Sequence, residues 1–156
     1  MSFRLLLLLA ALPVCALAQL QLYVVQAGVE QRIGSVYDAG TAAAGDVLDT
    51  RMRVRNLGNV AVNIQTLSIG GVGFSLQGRP SLPFVLAPGL NLDFTVRFAP
   101  TNFGSFSANL TVNSINVIVR GTGLAAPVLS VELNGVRVAL SSGETVDFGV
   151  VDPGGS

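Results

Sequence analysis

Residues 86–123 read LAPGLNLDFTVRFAPTNFGSFSANLTVNSINVIVRGTG, and apolar and polar side chains alternate through them wherever no turn residue intervenes. Leu90, Leu92, Phe94, Val96 and Phe98 share one phase, while Asn91, Asp93, Thr95 and Arg97 share the other. Successive side chains of a strand point to opposite faces, so this pattern predicts a half-buried strand. Pro100 and Gly104 mark a connection, after which Phe106, Ala108, Leu110 and Val112 resume the same period. A closing strand is expected over residues 115–120.

The same reading extends towards the N-terminus. Residues 22–25 and 29–33 are expected as short strands around Gly28, followed by a turn at Asp38-Ala39-Gly40 and a small-residue stretch to Asp46. Residues 47–56 form a strand whose Leu48, Met52 and Val54 point inward, with Thr50 as a polar exception. Asp49, Arg51, Arg53 and Arg55 then point outward. In residues 60–69 the apolar phase slips between Ile64 and Leu67, which predicts a bulge near Gln65. Gly70-Gly71-Val72-Gly73 reads as a flexible turn, and residues 74–76 and 84–86 as short strands. About seven strands without a helical period predict an all-β, immunoglobulin-like β-sandwich.

Arg4, the apolar run of residues 5–12 and Ala16-Leu17-Ala18 have the three regions of a secretory signal peptide, so residues 1–18 are expected to be removed. The apolar stretch is shorter than the roughly 20 residues of a membrane-spanning helix. The expected address is therefore secreted, periplasmic or cell-surface, with no membrane span in the mature chain. Cys15 is the one cysteine of the 156 residues and lies inside that leader, which leaves the mature chain without a disulfide. Lipidation at Cys15 is disfavoured, because Leu12-Pro13-Val14 lacks the small residue expected before an acylated cysteine.

Charge and residue inventory exclude several functions. The chain has nine arginines and no lysine, against nine carboxylates, so it is not a basic protein and nucleic acid is not an expected partner. It has no histidine, which removes the common catalytic triads and, with no mature cysteine, zinc and thiol chemistry. Asp38, Asp46, Asp49 and Asp93 could supply a glycosidase carboxylate pair, but they are scattered at turns and outward positions. Asp46 with Asp49, and Asp147 with Asp152, lack the dense spacing of a calcium loop. No catalytic, metal-binding or cofactor-binding residue is assigned. Asn109-Leu110-Thr111 matches a glycosylation acceptor, a triplet common by chance.

The distinctive polar feature is the row Arg51, Arg53 and Arg55, with Arg97 expected on the neighbouring strand. Such a row is the candidate interaction surface for carboxylates or sulfated glycans, although Asp49 and Asp93 partly neutralise it.

Four motifs in order bring a family into view. Residues 51–58, RMRVRNLG, resemble a "V-x-V-x-N-x-G" strand and turn, and residues 86–89, LAPG, resemble "L-x-P-G". Residues 96–104 resemble "V-x-F-x-P-x-x-x-G", and residues 119–123, VRGTG, resemble "V-x-L-x-G-x-G". Together they are similar to the ASH domain, named for spindle, centrosomal and Hydin proteins, and to the related bacterial choice-of-anchor D repeats. The resemblance implies a fold of the major sperm protein type, used for protein association and often in tandem. The leader favours the bacterial, exported setting. Physically, Asn56 and Gly58 suit a turn with left-handed backbone, Pro88-Gly89 suits a type II turn, and Pro100 ends strand pairing.

A weak repeat aligns residues 22–29 with 129–136 and residues 37–40 with 146–149. The expected organisation is a β-sandwich over residues 19–123, a linker at 124–127 and an incomplete start of a second similar module at 128–156. The expected function is a non-catalytic, exported module acting as a spacer or protein-interaction domain. A carbohydrate-binding or adhesive module is the alternative; the absence of Trp and the inward phase of most Phe residues weigh against it. Partners are expected to be protein, or else an acidic polymer or glycan.

Overall fold

The computed structural model describes residues 19–125, 129–133 and 136–140. The expected leader at 1–18 with Cys15, linker residues Ala126 and Pro127, and Asp147 and Asp152 lie outside the described residues. The chain divides into two compact units at Leu124 and Ala125.

The first unit contains β1 (Leu20–Gln26), β2 (Val29–Arg32), β3 (Val36–Ala43), β4 (Leu48–Asn56), β5 (Val62–Ile64) and β6 (Leu67–Gly70). It continues through β7 (Phe74–Gln77), β8 (Phe84–Leu86), β9 (Asn91–Phe98), β10 (Gly104–Val112) and β11 (Ile115–Leu124). One sheet has the order β2-β1-β4-β9-β7 and the other β3-β11-β10-β6, with β5-β8 as a separate pair. The result is an all-β, immunoglobulin-like sandwich, in which the expected seven or so strands resolve into these eleven segments. In the second unit, β12 (Leu129–Leu133) and β13 (Val136–Leu140) form an antiparallel hairpin with Val131 opposite Val138.

Alternation places the core where period two requires it. On β4, Thr50, Met52, Val54 and Asn56 are buried, and on β9 so are Leu92, Phe94, Val96 and Phe98. From the opposite sheet, Leu110, Val112, Val117 and Val119 pack into the same cluster. Each such side chain contributes about 1.5–3 kcal/mol of burial free energy, so the sandwich draws its stability from this shared core.

Five local expectations are corrected. Leu90 is 58% exposed, because it closes a turn instead of starting β9: its N–H donates to the Ala87 carbonyl, 3.1 Å away, around Gly89 with φ +73°. That is the type II turn expected of Pro88-Gly89. Asp38-Ala39-Gly40 is a bulge inside a strand, not a turn between strands. Here β3 runs parallel to β11, and the register jumps from Asp38 opposite Arg120 to Thr41 opposite Thr122. Gly40 has φ +95°, and its N–H donates to Asp38 Oδ1 at 2.8 Å. Two turn-forming residues are thus accommodated without breaking the strand.

The phase slip near Gln65 is a change of sheet, not a bulge: β5 pairs with β8, and β6 with β10. Asn113 holds the crossing, since its Oδ1 accepts the N–H groups of Gln65 and Thr66 at 2.9 and 3.1 Å and its Nδ2 donates to the Asn63 carbonyl. Asn113 itself is left-handed, with φ +49°, a conformation that asparagine tolerates.

Asn56 is not among the left-handed residues and is fully buried. Its Nδ2 donates to the Val60 and Leu86 carbonyls at 2.7 and 3.0 Å, and its Oδ1 accepts the Gly58 N–H at 3.0 Å. The motif asparagine is a side-chain clasp between the β4 end and the β8 end. Gly71, expected in a flexible turn, lies against β10: a Cβ there would come within 2.5 Å of Ala108 Cβ.

Candidate interaction surface

The register of the five-stranded sheet decides what stands beside the arginine row. Arg51, Arg53 and Arg55 occupy alternate positions of β4 and project from the outer face, because Met52, Val54 and Asn56 are committed to the core. On β9, Asp93 lies opposite Arg53, and Arg97 lies opposite Asp49. On β2, Glu30 lies opposite Val25 and Arg32 opposite Tyr23, which puts both on this face as well.

The charges interlock. Arg53 makes a bidentate pair with Asp93, with Nε to Oδ1 at 2.5 Å and Nη2 to Oδ2 at 2.6 Å, and reaches across β1 to Glu30 Oε1 at 2.7 Å. Arg51 Nη2 donates to the same Asp93 Oδ2 at 2.5 Å, and Arg55 Nη1 donates to Glu30 Oε2 at 3.0 Å. Arg97 forms a separate bidentate pair with Asp49 at 2.8 and 2.7 Å. Arg53, with 21% of its side chain exposed, is the hub, whereas Arg51 at 57% is the most open of these four arginines. Arg55 sits 6.0 Å from the centre of the Tyr23 ring, and its buried Nε has no hydrogen-bond partner among the described residues.

Glu30 and Arg32 were not picked out from sequence. The short run of residues 29–32 shows that a strand exists, but only its pairing with β1 brings Glu30 within reach of two arginines from β4.

Hydrogen bonds from Arg53 and then Arg51 outweigh partial desolvation and pull the Asp93 carboxyl from 3.8 to about 2. Glu30 is also lowered, chiefly by the Arg53 hydrogen bond, and Asp49 by that of Arg97. A carboxylate whose pKa is depressed by folding adds stability above its unfolded pKa, and that stability is lost as pH falls through the folded value. Acid titration is therefore expected to weaken this face between roughly pH 5 and pH 2. Asp93→Asn should cost about 1–2 kcal/mol at pH 7, after allowance for solvent screening, and flatten the acid limb. Urea unfolding at pH 7 and pH 3 reads both effects; a variant that keeps the full wild-type pH slope would refute them.

Three of the four carboxylates considered for hydrolysis are engaged by other groups. Asp49 and Asp93 are each engaged by arginine, and Asp38 is used by the Gly40 N–H. Among the described residues, no three of His, Cys, Asp and Glu gather where a metal ion could be held, and no helix is long and apolar enough to cross a membrane. Of the two tyrosines, Tyr37 packs against the core and Tyr23 spends its hydroxyl on Gln21 Oε1 at 2.8 Å. Phe103, 77% exposed on the β9–β10 connection, departs from the inward phase of Phe94 and Phe98.

No family model matches the chain, and no curated protein matches it either. Solved structures with a similar fold include the secreted serine protease VesC from Vibrio cholerae, at 19% identity and TM-score 0.44. That match covers 58% of this chain and 22% of VesC, so the chain spans about a fifth of that protein. The ASH/PapD-like domain 7 of human CEP192 is 11% identical with TM-score 0.44, over 81% of this chain and 99% of that domain. A CARDB domain from Pyrococcus furiosus is 16% identical with TM-score 0.41, over 69% and 98%. At these scores the likenesses carry no argument about activity, and the fold rests on the sheets themselves.

Proposed function

We propose that the protein is a non-catalytic, exported module of the ASH and choice-of-anchor D type, acting as a spacer or a protein-binding domain. The observation that carries this reading is the state of its carboxylates. A general acid at neutral pH needs a raised pKa, and Asp93, Asp49 and Glu30 are all moved the other way by arginine. Export is supported by Arg4, the apolar run after it and Ala16-Leu17-Ala18. Tandem use is supported by the partial repeat at residues 129–136. Hydrolysis by the purified protein that disappears with Asp38→Asn or Asp93→Asn would overturn the non-catalytic reading.

One observation favours an acidic polymer or glycan as partner. The outer face carries five arginines, Arg32, Arg51, Arg53, Arg55 and Arg97, against three carboxylates, Glu30, Asp49 and Asp93, an excess of two cations. Replacing Arg51, Arg53 and Arg55 with serine is expected to lower the salt needed to elute the protein from a sulfated-polymer column. Unchanged retention by a variant that still unfolds cooperatively would remove this second reading.

A further inference from the structure

The sandwich has an open side where its two sheets end. There β6 is the last strand of one sheet and β7 the last of the other, joined directly through Gly71, Val72 and Gly73. Between them lies a groove of about 280 Å³ lined by Ser68, Ile69, Phe74, Ser75, Leu76 and Arg79. It continues along Arg79, Pro80, Ser81 and Leu82 into a second space of about 350 Å³.

Hydrogen bonds at the strand ends reveal which backbone groups face this groove. The Ala99 N–H donates to the Gly73 carbonyl at 2.8 Å. In an antiparallel ladder bonded pairs alternate with non-bonded ones, so Ser75 and Gln77 bond to β9 and the N–H and C=O of Leu76 point outward. Likewise the Asn113 N–H donates to the Thr66 carbonyl at 3.0 Å, which turns Leu67 and Ile69 of β6 outward. The Leu67 carbonyl fits this phase: it accepts a bond from Arg79 Nη1 at 3.4 Å. Leu76 on one wall and Ile69 on the other thus offer strand-pairing groups to whatever enters.

Arg79 supplies the charge. It is exposed, and among the described residues it has no carboxylate within ion-pairing distance, unlike Arg51, Arg53, Arg55 and Arg97. A guanidinium with no carboxylate partner, at the mouth of a groove lined by both apolar side chains (Ile69, Phe74, Leu76) and serines (Ser68, Ser75) between two strand edges, complements an extended peptide that ends in, or carries, a carboxylate.

We propose that the β6–β7 groove binds an extended segment of another polypeptide, which adds a strand to β7 through Leu76 and places a carboxylate on Arg79. The inference rests on the protein-binding reading of the module and locates it at the sheet edge, away from the arginine face.

The probe is a labelled eight-residue peptide of alternating Val and Thr with one Glu, titrated against the full chain by fluorescence anisotropy. Four versions separate the terms: free C-terminus, amidated C-terminus, Glu→Gln, and N-methylation at every second residue. Arg79→Gln is expected to weaken binding roughly tenfold. Neutralising the carboxylate that contacts it should have a similar effect, with little further loss when both changes are combined. Comparison of the amidated and Glu→Gln peptides tells a terminal from a side-chain carboxylate. N-methylation in the pairing phase should abolish binding, since it removes the donors that meet the Leu76 carbonyl.

Equal binding by Arg79→Gln or by the N-methylated peptide would overturn the proposal, as would the absence of binding by every acidic version. Loss with Arg51→Ser and Arg55→Ser but not with Arg79→Gln would move the peptide to the arginine face, sparing the protein-binding reading while refuting the groove. Dimerisation that competes with the peptide would make a second copy the occupant and overturn it too. An unchanged thermal midpoint of Arg79→Gln confirms that the exposed residue was removed without loss of fold.

Discussion

Asn56→Ala is expected to lower the stability of the sandwich by about 3 kcal/mol, which corresponds to roughly 10–20 °C in thermal midpoint. The side chain is fully buried and makes three bonds, to the Val60 carbonyl, the Leu86 carbonyl and the Gly58 N–H. Alanine removes all three and leaves those backbone groups to find partners where water has little access, which costs more than the bonds themselves contribute. The Asn56 backbone is engaged as well, its N–H donating to the Leu90 carbonyl and its own carbonyl accepting from Gly89. One residue therefore ties the end of β4 to the turn before β9.

Asn56→Asp supplies a control on the cause. Aspartate can still accept from Gly58, but its ionised carboxylate then faces two carbonyl oxygens, so folding disfavours the charged form and raises the carboxyl pKa. This variant should be least stable near neutral pH and recover as pH falls, because the neutral acid can donate one bond. Urea unfolding across pH 4–7 tests the sign. A loss that is independent of pH, or an alanine variant within about 0.5 kcal/mol of wild type, would refute the clasp.

Phe98→Ala is expected to cost about 4 kcal/mol. Phe98 is fully buried, stacks on Phe74 at 4.7 Å between ring centres and meets Phe106 edge-on at 5.5 Å. On its remaining side it lies against Gly121 of β11, where an added Cβ would stand 2.8 Å from two ring carbons. The glycine is thus a volume constraint set by the ring. Gly121→Ala should destabilise by about 1–3 kcal/mol through overpacking, and by clearly less in a Phe98→Leu background. Additive losses in that double-mutant cycle would show that ring and glycine do not share the space.

The strand pairs around Arg51 and Arg97 illustrate how far local patterning reaches. The outward phase of Arg51, Arg53 and Arg55 was legible because Met52 and Val54 alternate with them, and Arg97 could be expected nearby because Asp93, Thr95 and Arg97 form the outward phase of the next long strand. Their partners were only half legible. Asp49 and Asp93 lie on the same two strands, but Glu30 enters from β2, a four-residue edge strand whose register follows from its pairing with β1. Alternation gives the face of a side chain and not its neighbour across the sheet, so the hub position of Arg53 had no signal in the sequence.

Turn-forming residues misled in one direction. Asp38-Ala39-Gly40 and the slip at Gln65 carry the same local signs as connections and bulges, yet the first is a bulge within a parallel strand and the second a passage between sheets. Composition cannot separate these cases, because a bulge, a turn and a crossing all use small or amide side chains to bend the backbone.

Alternation and turn chemistry are properties of short segments, and they alone determined that the chain is all-β and which phase of its long strands faces the core, while the missing histidines set aside the common triads and histidine-held zinc. Tertiary structure decided the rest: that Asn56 is a buried clasp, that Gly121 must be small, that three carboxylates are held by arginine, and that β6 and β7 leave an open groove beside Arg79. Each of these depends on distances between residues far apart in the chain, which only the pairing and stacking of complete sheets can set.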